Sequence, residues 1–289
     1  MKICRFNDNR IGIVRDDVVY DVTTVIEQEL PAYRYPFPAG DQLIANLDSL
    51  RPKLETMADM VDGLQVSELT LKSPIANPTK IIGVPQNYQD HADEAAADTG
   101  ISQGMPRRKM EDQGLFLKAN SALIGPGEGV AIRFSERRTD HEAELGVIIG
   151  RKGSNIEYDE ALSYVAGYAI AMDMVVRGKE DRSFRKSVDT YAVLGPWMVT
   201  ADEISDPGNL DFSLSIDNEI RQKNNTRNLI LNLQGQIVWA SKFYSLHPGD
   251  IIMSGTCAGV GPVKPGDLMQ LVFENIGKMD VPVRAHTVY

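Results

Sequence analysis

The apolar positions along the chain fall into short runs, and the runs change character near residue 72. Before it, "KICRF", "IGIV" and "VVYDV" are strand-like and are parted by the turn compositions "NDNR" and "RDD". Segments 23–30 and 41–60 carry apolar residues at helical spacing, with a break expected at Pro52. "SPIANPTKIIGVPQN" then brings three prolines and little periodicity, which suits a linker. The expected organisation is a small N-terminal domain, 1–72, followed by a larger domain, 73–289. In the second part "LFLKA", "HEAELGVIIG", "GYAIAMDMVV", "YAVLGPWMV", "DFSLSIDN", "DIIMSG" and "LMQLVFEN" read as strands between Gly/Pro turns. Helical spacing is confined to 88–97, 158–165 and 229–246. Strands and helices do not alternate, so the pattern predicts an α+β, mainly β fold rather than a doubly wound sheet.

Bulk properties narrow the partners. With 289 residues and 43% hydrophobic content, a sizeable core is available. A net charge of −10 argues against nucleic acid or an anionic membrane as the main partner, while leaving room for a small anionic substrate in a locally cationic cleft. Cys4 and Cys257 are the two cysteines, which gives neither a disulfide framework nor a zinc spacing. The opening "MKICRFNDNRIG" has no signal-peptide core, and the longest apolar stretch, 164–176, is too short for a bilayer and contains Asp173. A soluble cytoplasmic protein is expected.

The chemistry starts in "TDHEAELGVIIG", where Glu142 and Glu144 head an apolar run. Strand alternation puts both on one face, ~7 Å apart, with Ala143, Leu145 and Val147 on the other. Ionised carboxylates are costly to bury without compensation. Either this is a solvated edge face with basic neighbours, or a hard divalent cation sits between them. Asp173, alone in "YVAGYAIAMDMVVRG", is either a hydrogen-bonded structural acid or a third ligand. His141 points away from Glu142 by alternation, and His247 and His286 are isolated, so zinc is not expected. His91 and Glu94 in "NYQDHADEAAAD" share a helix face at i,i+3. They form a surface pair or a base whose imidazole is oriented by a carboxylate. Lys118, Arg177 and Lys186 are surface charges or cations that stabilise an enolate or carboxylate. In "DIIMSGTCAGVGPVKPGD", Gly255 and the Thr256 hydroxyl sit in a glycine-rich turn able to cradle a carboxylate. The turn is not a dinucleotide fingerprint, because the third glycine is missing and Pro262 and Pro265 prevent a following helix, which weighs against a nucleotide-dependent oxidoreductase.

Taken in order, "NYQDHADE", "FLKANSALIGPGEGV", "DHEAELGVIIG", "GYAIAMDMVVRG", "KSVDTYAVLGPW" and "LHPGDIIMSGTCAGVG" resemble the fumarylacetoacetate hydrolase family across 81–277. The resemblance implies a mixed β-sandwich roll with a small N-terminal domain, usually a homodimer. It implies that Glu142, Glu144 and Asp173 ligate a metal, usually Mg²⁺, with Mn²⁺ or Ca²⁺ as alternatives. His91 and Glu94 match a dyad on a helix that orders over the substrate. Lys186 matches a lysine beside the metal, Thr256 the threonine of the substrate-carboxylate turn, and Arg177 an arginine near the same pocket. The implied activity is hydrolysis of a C–C bond in an acylpyruvate-like 2,4-dioxo acid, in catabolism of an aromatic compound or a sugar acid. The products are pyruvate and a carboxylic acid. The alternative is decarboxylation, isomerisation or hydration of a related 2-oxo or 2-hydroxydienoate diacid. A non-catalytic ligand-binding member of the fold is the reading from another class. The chain departs from the family pattern in four places. Ala119 and Cys257 stand where proline is common, Glu180 where glutamine is often seen, and the stretch from Asp173 to Lys186 is shorter by about two helical turns.

Overall fold

A computed structural model describes residues 1–106 and 108–287. The architecture is α+β and mainly β, built on a mixed twelve-stranded sheet. Its middle consists of three long apolar strands, Ala143–Ile149, Val165–Asp173 and Ala192–Thr200, paired antiparallel. Ile251–Met253 joins their flank and pairs in parallel with Ile81–Gly83. The first strand, Lys2–Phe6, is hydrogen-bonded to Ala192–Thr200 with Lys2 opposite Val199, so the N-terminal hairpins extend the same sheet.

The middle strands are apolar on both faces because both faces are covered. On one side Leu145, Val147, Ile170 and Met172 pack with Phe212, Leu214, Leu271 and Phe273 of a five-stranded sheet. On the other, Ile148, Ala169, Ala171 and Leu194 pack under Leu43, Leu47, Leu50 and Leu54 of two N-terminal helices, Gln42–Ala45 and Leu47–Ala58. Burying each of those leucines stabilises the sandwich by about 1.5–3 kcal/mol. Segment 1–72 and the rest therefore share one sheet and contribute to the packed cluster on each of its faces.

Two expectations are corrected. The helix Leu47–Ala58 runs through Pro52. Proline lacks the N–H that would reach the Asp48 carbonyl, but Asp48 and Pro52 both face solvent, where water replaces that bond. The stretch read as a linker is pinned by two buried carboxylates. Asp41 caps the helix Gln42–Ala45 and also accepts from Ala76 and Asn77 N–H (2.9 and 3.2 Å). Asp250 accepts from the N–H groups of Thr79, Lys80 and His247 (2.9, 3.0 and 2.8 Å) and from the Lys80 ammonium. Among the described residues no helix is long and apolar enough to cross a membrane.

Candidate active site

The site grows from the register of two central strands. Ala143 lies opposite Met172, and one step further the Asp173 N–H donates to the Glu142 carbonyl (2.9 Å), so Asp173 faces Glu142 across the ladder. Cross-strand partners project to the same side, as do Glu142 and Glu144. The three carboxylates converge, with ligand oxygens within 4.8 Å of one another, and all three residues are buried. Further along this face lie Gly146 and Ile148, under the N-terminal helices. The acids occupy the end of a face whose remainder is core, which rejects the solvated-edge reading.

Four separate segments compensate the acids. The Lys186 ammonium reaches Glu142 Oε2 (2.6 Å) and Asp173 Oδ2. Lys118 holds the other oxygen of Asp173. Arg177 donates to Glu142 Oε1 (3.2 Å), and Gly255 N–H donates to Glu144 Oε2 (2.8 Å). Gly255 has φ +100°, and a Cβ there would stand 2.5 Å from Asn87 Cβ, so only glycine can present that N–H. Burial pushes the Glu142 carboxyl up, but Lys186 and Arg177 outweigh it and hold it at about 2. Burial and the neighbouring Asp173 push Glu144 well above the ordinary range. Lys118 is pulled down by burial despite Asp173, whereas Lys186, buried among the acids, is held above its ordinary value by Asp173 and Glu142. Glu144 forms no ion pair among the described residues, and burial beside Asp173 disfavours its charged form. Three convergent hard oxygen donors, one of them short of a cationic partner, fit a divalent cation.

A cavity of about 730 Å³ opens onto Glu142 and Glu144, with Asp173 behind its wall. His91, Glu142, Glu144, Arg177, Lys186 and Thr256 all line it. His91 lies on the helix Gln89–Ala97, its Nδ1 3.2 Å from Glu94 Oε2, and Glu94 Oε1 accepts from Gly259 N–H (2.8 Å). The dyad is thus tied to the glycine-rich turn. The Thr256 hydroxyl donates to the Ala143 carbonyl (2.9 Å) and accepts from Gln222 (2.7 Å). Lys118 and Gly255 stand behind the cavity wall, at Asp173 and Glu144 respectively. Two departures from the family pattern have local partners: Ala119 N–H, which a proline would lack, donates to Ser187 (2.8 Å), and Glu180 pairs with Arg137 (2.9 Å).

Several site residues escape the sequence reading. Asp140, fully buried, accepts from Arg138 Nε (2.7 Å) and Arg177 Nε (2.8 Å), and so orients the guanidinium that reaches Glu142. The two-residue spacing Asp140, Glu142, Glu144 is the signal that could have found it. Gln222 bridges His141, Ala143 and Thr256 from a strand, Glu219–Asn225, too polar to be noticed. Arg182 and Arg185, on the short helix Arg182–Lys186, also line the cavity.

Comparison with known proteins agrees with this geometry. A family profile described as fumarylacetoacetate (FAA) hydrolase C-terminal matches residues 80–284. A maleylpyruvate hydrolase of Aquipseudomonas alcaligenes is 50% identical over 287 residues, covering 99% of this chain and 100% of the relative. A mitochondrial oxaloacetate tautomerase of Xenopus laevis is 35% identical over 233 residues, covering 76% of this chain and 70% of the relative. Among solved structures, the maleylpyruvate hydrolase of Sphingobium sp. SYK-6 in complex with manganese(II) and pyruvate superposes with a TM-score of 0.85 at 35% identity, covering 99% of this chain and 100% of that one. With the acidic triad, the cavity and these matches in agreement, the chain belongs to the fumarylacetoacetate hydrolase family.

Proposed function

We propose that the protein is a divalent-metal-dependent hydrolase that cleaves the C–C bond of an acylpyruvate, giving pyruvate and a carboxylic acid. The observation that carries the reading is one cavity lined by both His91, the base of the His91–Glu94 dyad, and Glu142 and Glu144 of the carboxylate triad. It is supported by the 50% identity to a maleylpyruvate hydrolase and by the pyruvate in the Sphingobium structure. Glu142, Glu144 and Asp173 hold the metal, with Mg²⁺ as the first candidate and Mn²⁺ as the alternative. When bound, the ion supplies Lewis-acid polarisation of a 2-oxo acid's oxygens. His91, oriented by Glu94, takes a proton from water, and the hydroxyl adds to the acyl carbonyl. The bond between that carbon and the pyruvyl methylene breaks, releasing the acid and a pyruvate enolate. The Lys186 ammonium stabilises the enolate charge. The proton held by His91 returns to the methylene carbon, which balances the reaction. Thr256 and Arg177 position the substrate carboxylate. The two free, buried cysteines suit a cytoplasmic protein, and a homodimer rests on the family resemblance.

The test is spectrophotometric. Acetylpyruvate and Mg²⁺ are added to the protein, and the ultraviolet absorbance of the enolised diketone is followed with and without EDTA. Metal-dependent loss with equimolar pyruvate is expected. No loss with either acetylpyruvate or maleylpyruvate, in protein shown to bind the metal, refutes hydrolysis. The Xenopus relative favours a second reading, tautomerisation of a 2-oxo diacid at the same site. His91→Ala separates the two: hydrolysis needs the activated water and is abolished, whereas enolisation that survives the substitution supports the tautomerase.

A further inference from the structure

The shortened stretch from Asp173 to Lys186 ends in the helix Arg182–Lys186, and its sequence "RSFRK" puts Arg182, Arg185 and Lys186 on one side by i,i+3 and i,i+4 spacing. All three line the cavity, while Phe184 points to solvent. Lys186 is matched by Glu142 and Asp173. The two arginines form no ion pair with a carboxylate among the described residues. Asp181, the acid beside them, caps the helix by accepting from Ser183 N–H (2.8 Å). Glu180 is taken by Arg137. Lys118, Lys186 and a divalent ion already answer the triad, so Arg182 and Arg185 are surplus positive charge on the wall of a substrate cleft. Arg185 is committed to backbone, donating to the Glu180 carbonyl (2.9 Å) and the Val176 carbonyl (3.5 Å). Arg182 is held by a neutral partner, the Gln113 side-chain oxygen. That amide is oriented by its own donations to Gln86 (2.7 Å) and the Arg108 carbonyl (2.9 Å). The guanidinium also stands over the Phe116 ring (5.4 Å), beside which the Lys186 ammonium sits at 5.1 Å.

We infer that Arg182 is the residue that recognises the far carboxylate when the acyl group carries one, as in the maleylpyruvate of the relatives' names, and that it sets the preference for such diacids over uncharged acylpyruvates. The inference rests on the acylpyruvate reading above and deepens it. A guanidinium fork fits a carboxylate bidentately, and Gln113 with Phe116 fixes its plane in advance. An uncharged acyl chain would leave the arginine desolvated and unpaired.

The experiment has a binding arm and a turnover arm. In the first, metal-loaded protein is titrated calorimetrically with 2-oxopimelate and with 2-oxoheptanoate, which share a chain length and differ in the terminal carboxylate. The wild type is expected to bind the diacid about 30-fold more tightly or better, a preference that Arg182→Gln removes and Arg182→Lys partly restores. Equal binding by the wild type, or a preference that persists in Arg182→Gln, overturns the inference. In the second, the kcat/KM ratio of maleylpyruvate to acetylpyruvate is expected to fall at least ~30-fold in Arg182→Gln. Equal losses on both substrates assign Arg182 a structural role and also overturn it. A wild type that cleaves neither substrate defeats the hydrolase reading alone, because the binding arm decides the role of Arg182 independently.

Discussion

Replacing Asp140 tests whether the charges behind the triad set its affinity for metal. The carboxylate is fully buried and divides its oxygens between Arg138 Nε at 2.7 Å and Arg177 Nε at 2.8 Å. Each pair has charge centres about 4 Å apart, worth roughly 4 kcal/mol at an effective dielectric near 20 before desolvation is subtracted. Asp140→Ala leaves the buried Arg177 guanidinium short of a partner, and a broken buried pair costs about 3–5 kcal/mol. For a chain of 289 residues that lowers Tm by about 5–8 °C. Asp140→Asn keeps one acceptor and the volume, so a smaller loss, about 1–3 kcal/mol, is expected. The functional consequence is more specific. Freed from Asp140, Arg177 commits its charge to Glu142, already 3.2 Å away, and competes with a metal for that carboxylate. Losses of outer partners of this kind weaken metal binding about 10–100-fold. Calorimetric titration of Mn²⁺ into Asp140→Asn, beside a melting curve, checks both numbers. Wild-type metal affinity in a variant with lowered Tm would refute the coupling and leave Asp140 a purely structural acid.

Gly255→Ala forces a side chain into positive φ and against Asn87, moving the N–H that holds Glu144. Metal affinity is expected to fall at least ~10-fold and stability by about 2 kcal/mol, read by titration and denaturant unfolding. Asp250→Ala strands three backbone N–H groups and the Lys80 ammonium at the junction after residue 72, so a loss of about 3–5 kcal/mol is expected in urea unfolding. Burial pushes the Cys4 and Cys257 thiols up to about 12. Both are therefore expected to resist a thiol reagent at pH 8 until denaturant is added. Because the folded values lie above the unfolded ~8.5, the stability the thiols contribute is complete below that pH and is lost as pH rises toward about 12. The fall in urea midpoint between pH 8 and pH 10 should be shallower in Cys4→Ala, and an unchanged slope would contradict the burial argument.

What could be read from the sequence was what apolar periodicity encodes. The strands that meet at the site, "AELGVII" and "VAGYAIAMD", are buried on both faces and announce themselves as apolar runs interrupted by acids. Alternation alone placed Glu142 with Glu144, and i,i+3 spacing alone placed His91 with Glu94. Pairing register was not legible, and without it Asp173 could not be set opposite Glu142. Polar strands were also hidden. Glu219–Asn225 exposes most of its side chains and is held by backbone pairing to Asp211–Ile216, yet its buried Gln222 braces Thr256. Gly277–Ala285, with Pro282 inside it, was passed over in the same way although it pairs on both sides. "RSFRK" resembles a solvated basic turn, and only the fold turns three of its cations inward.

The same distinction explains how such an acidic cluster persists inside a sheet. Its counter-charges come from segments far apart in sequence: Lys118 from an edge strand, Arg177 and Lys186 from either end of the shortened loop, and Gly255 from the glycine turn. None is near Glu142 and Glu144 in an unfolded chain, where the acids are solvated and need no partners. Folding therefore assembles the compensation and the cluster together, with Lys186 and Arg177 holding the Glu142 carboxyl low and Lys118 and Lys186 ion-paired to Asp173. Glu144 is the exception, with a backbone N–H in place of a cation and a carboxyl driven upward by burial and Asp173. The compensation is complete at two of the three acids and incomplete at the third. That asymmetry leaves the folded protein with an affinity for a divalent cation that the separate segments lack.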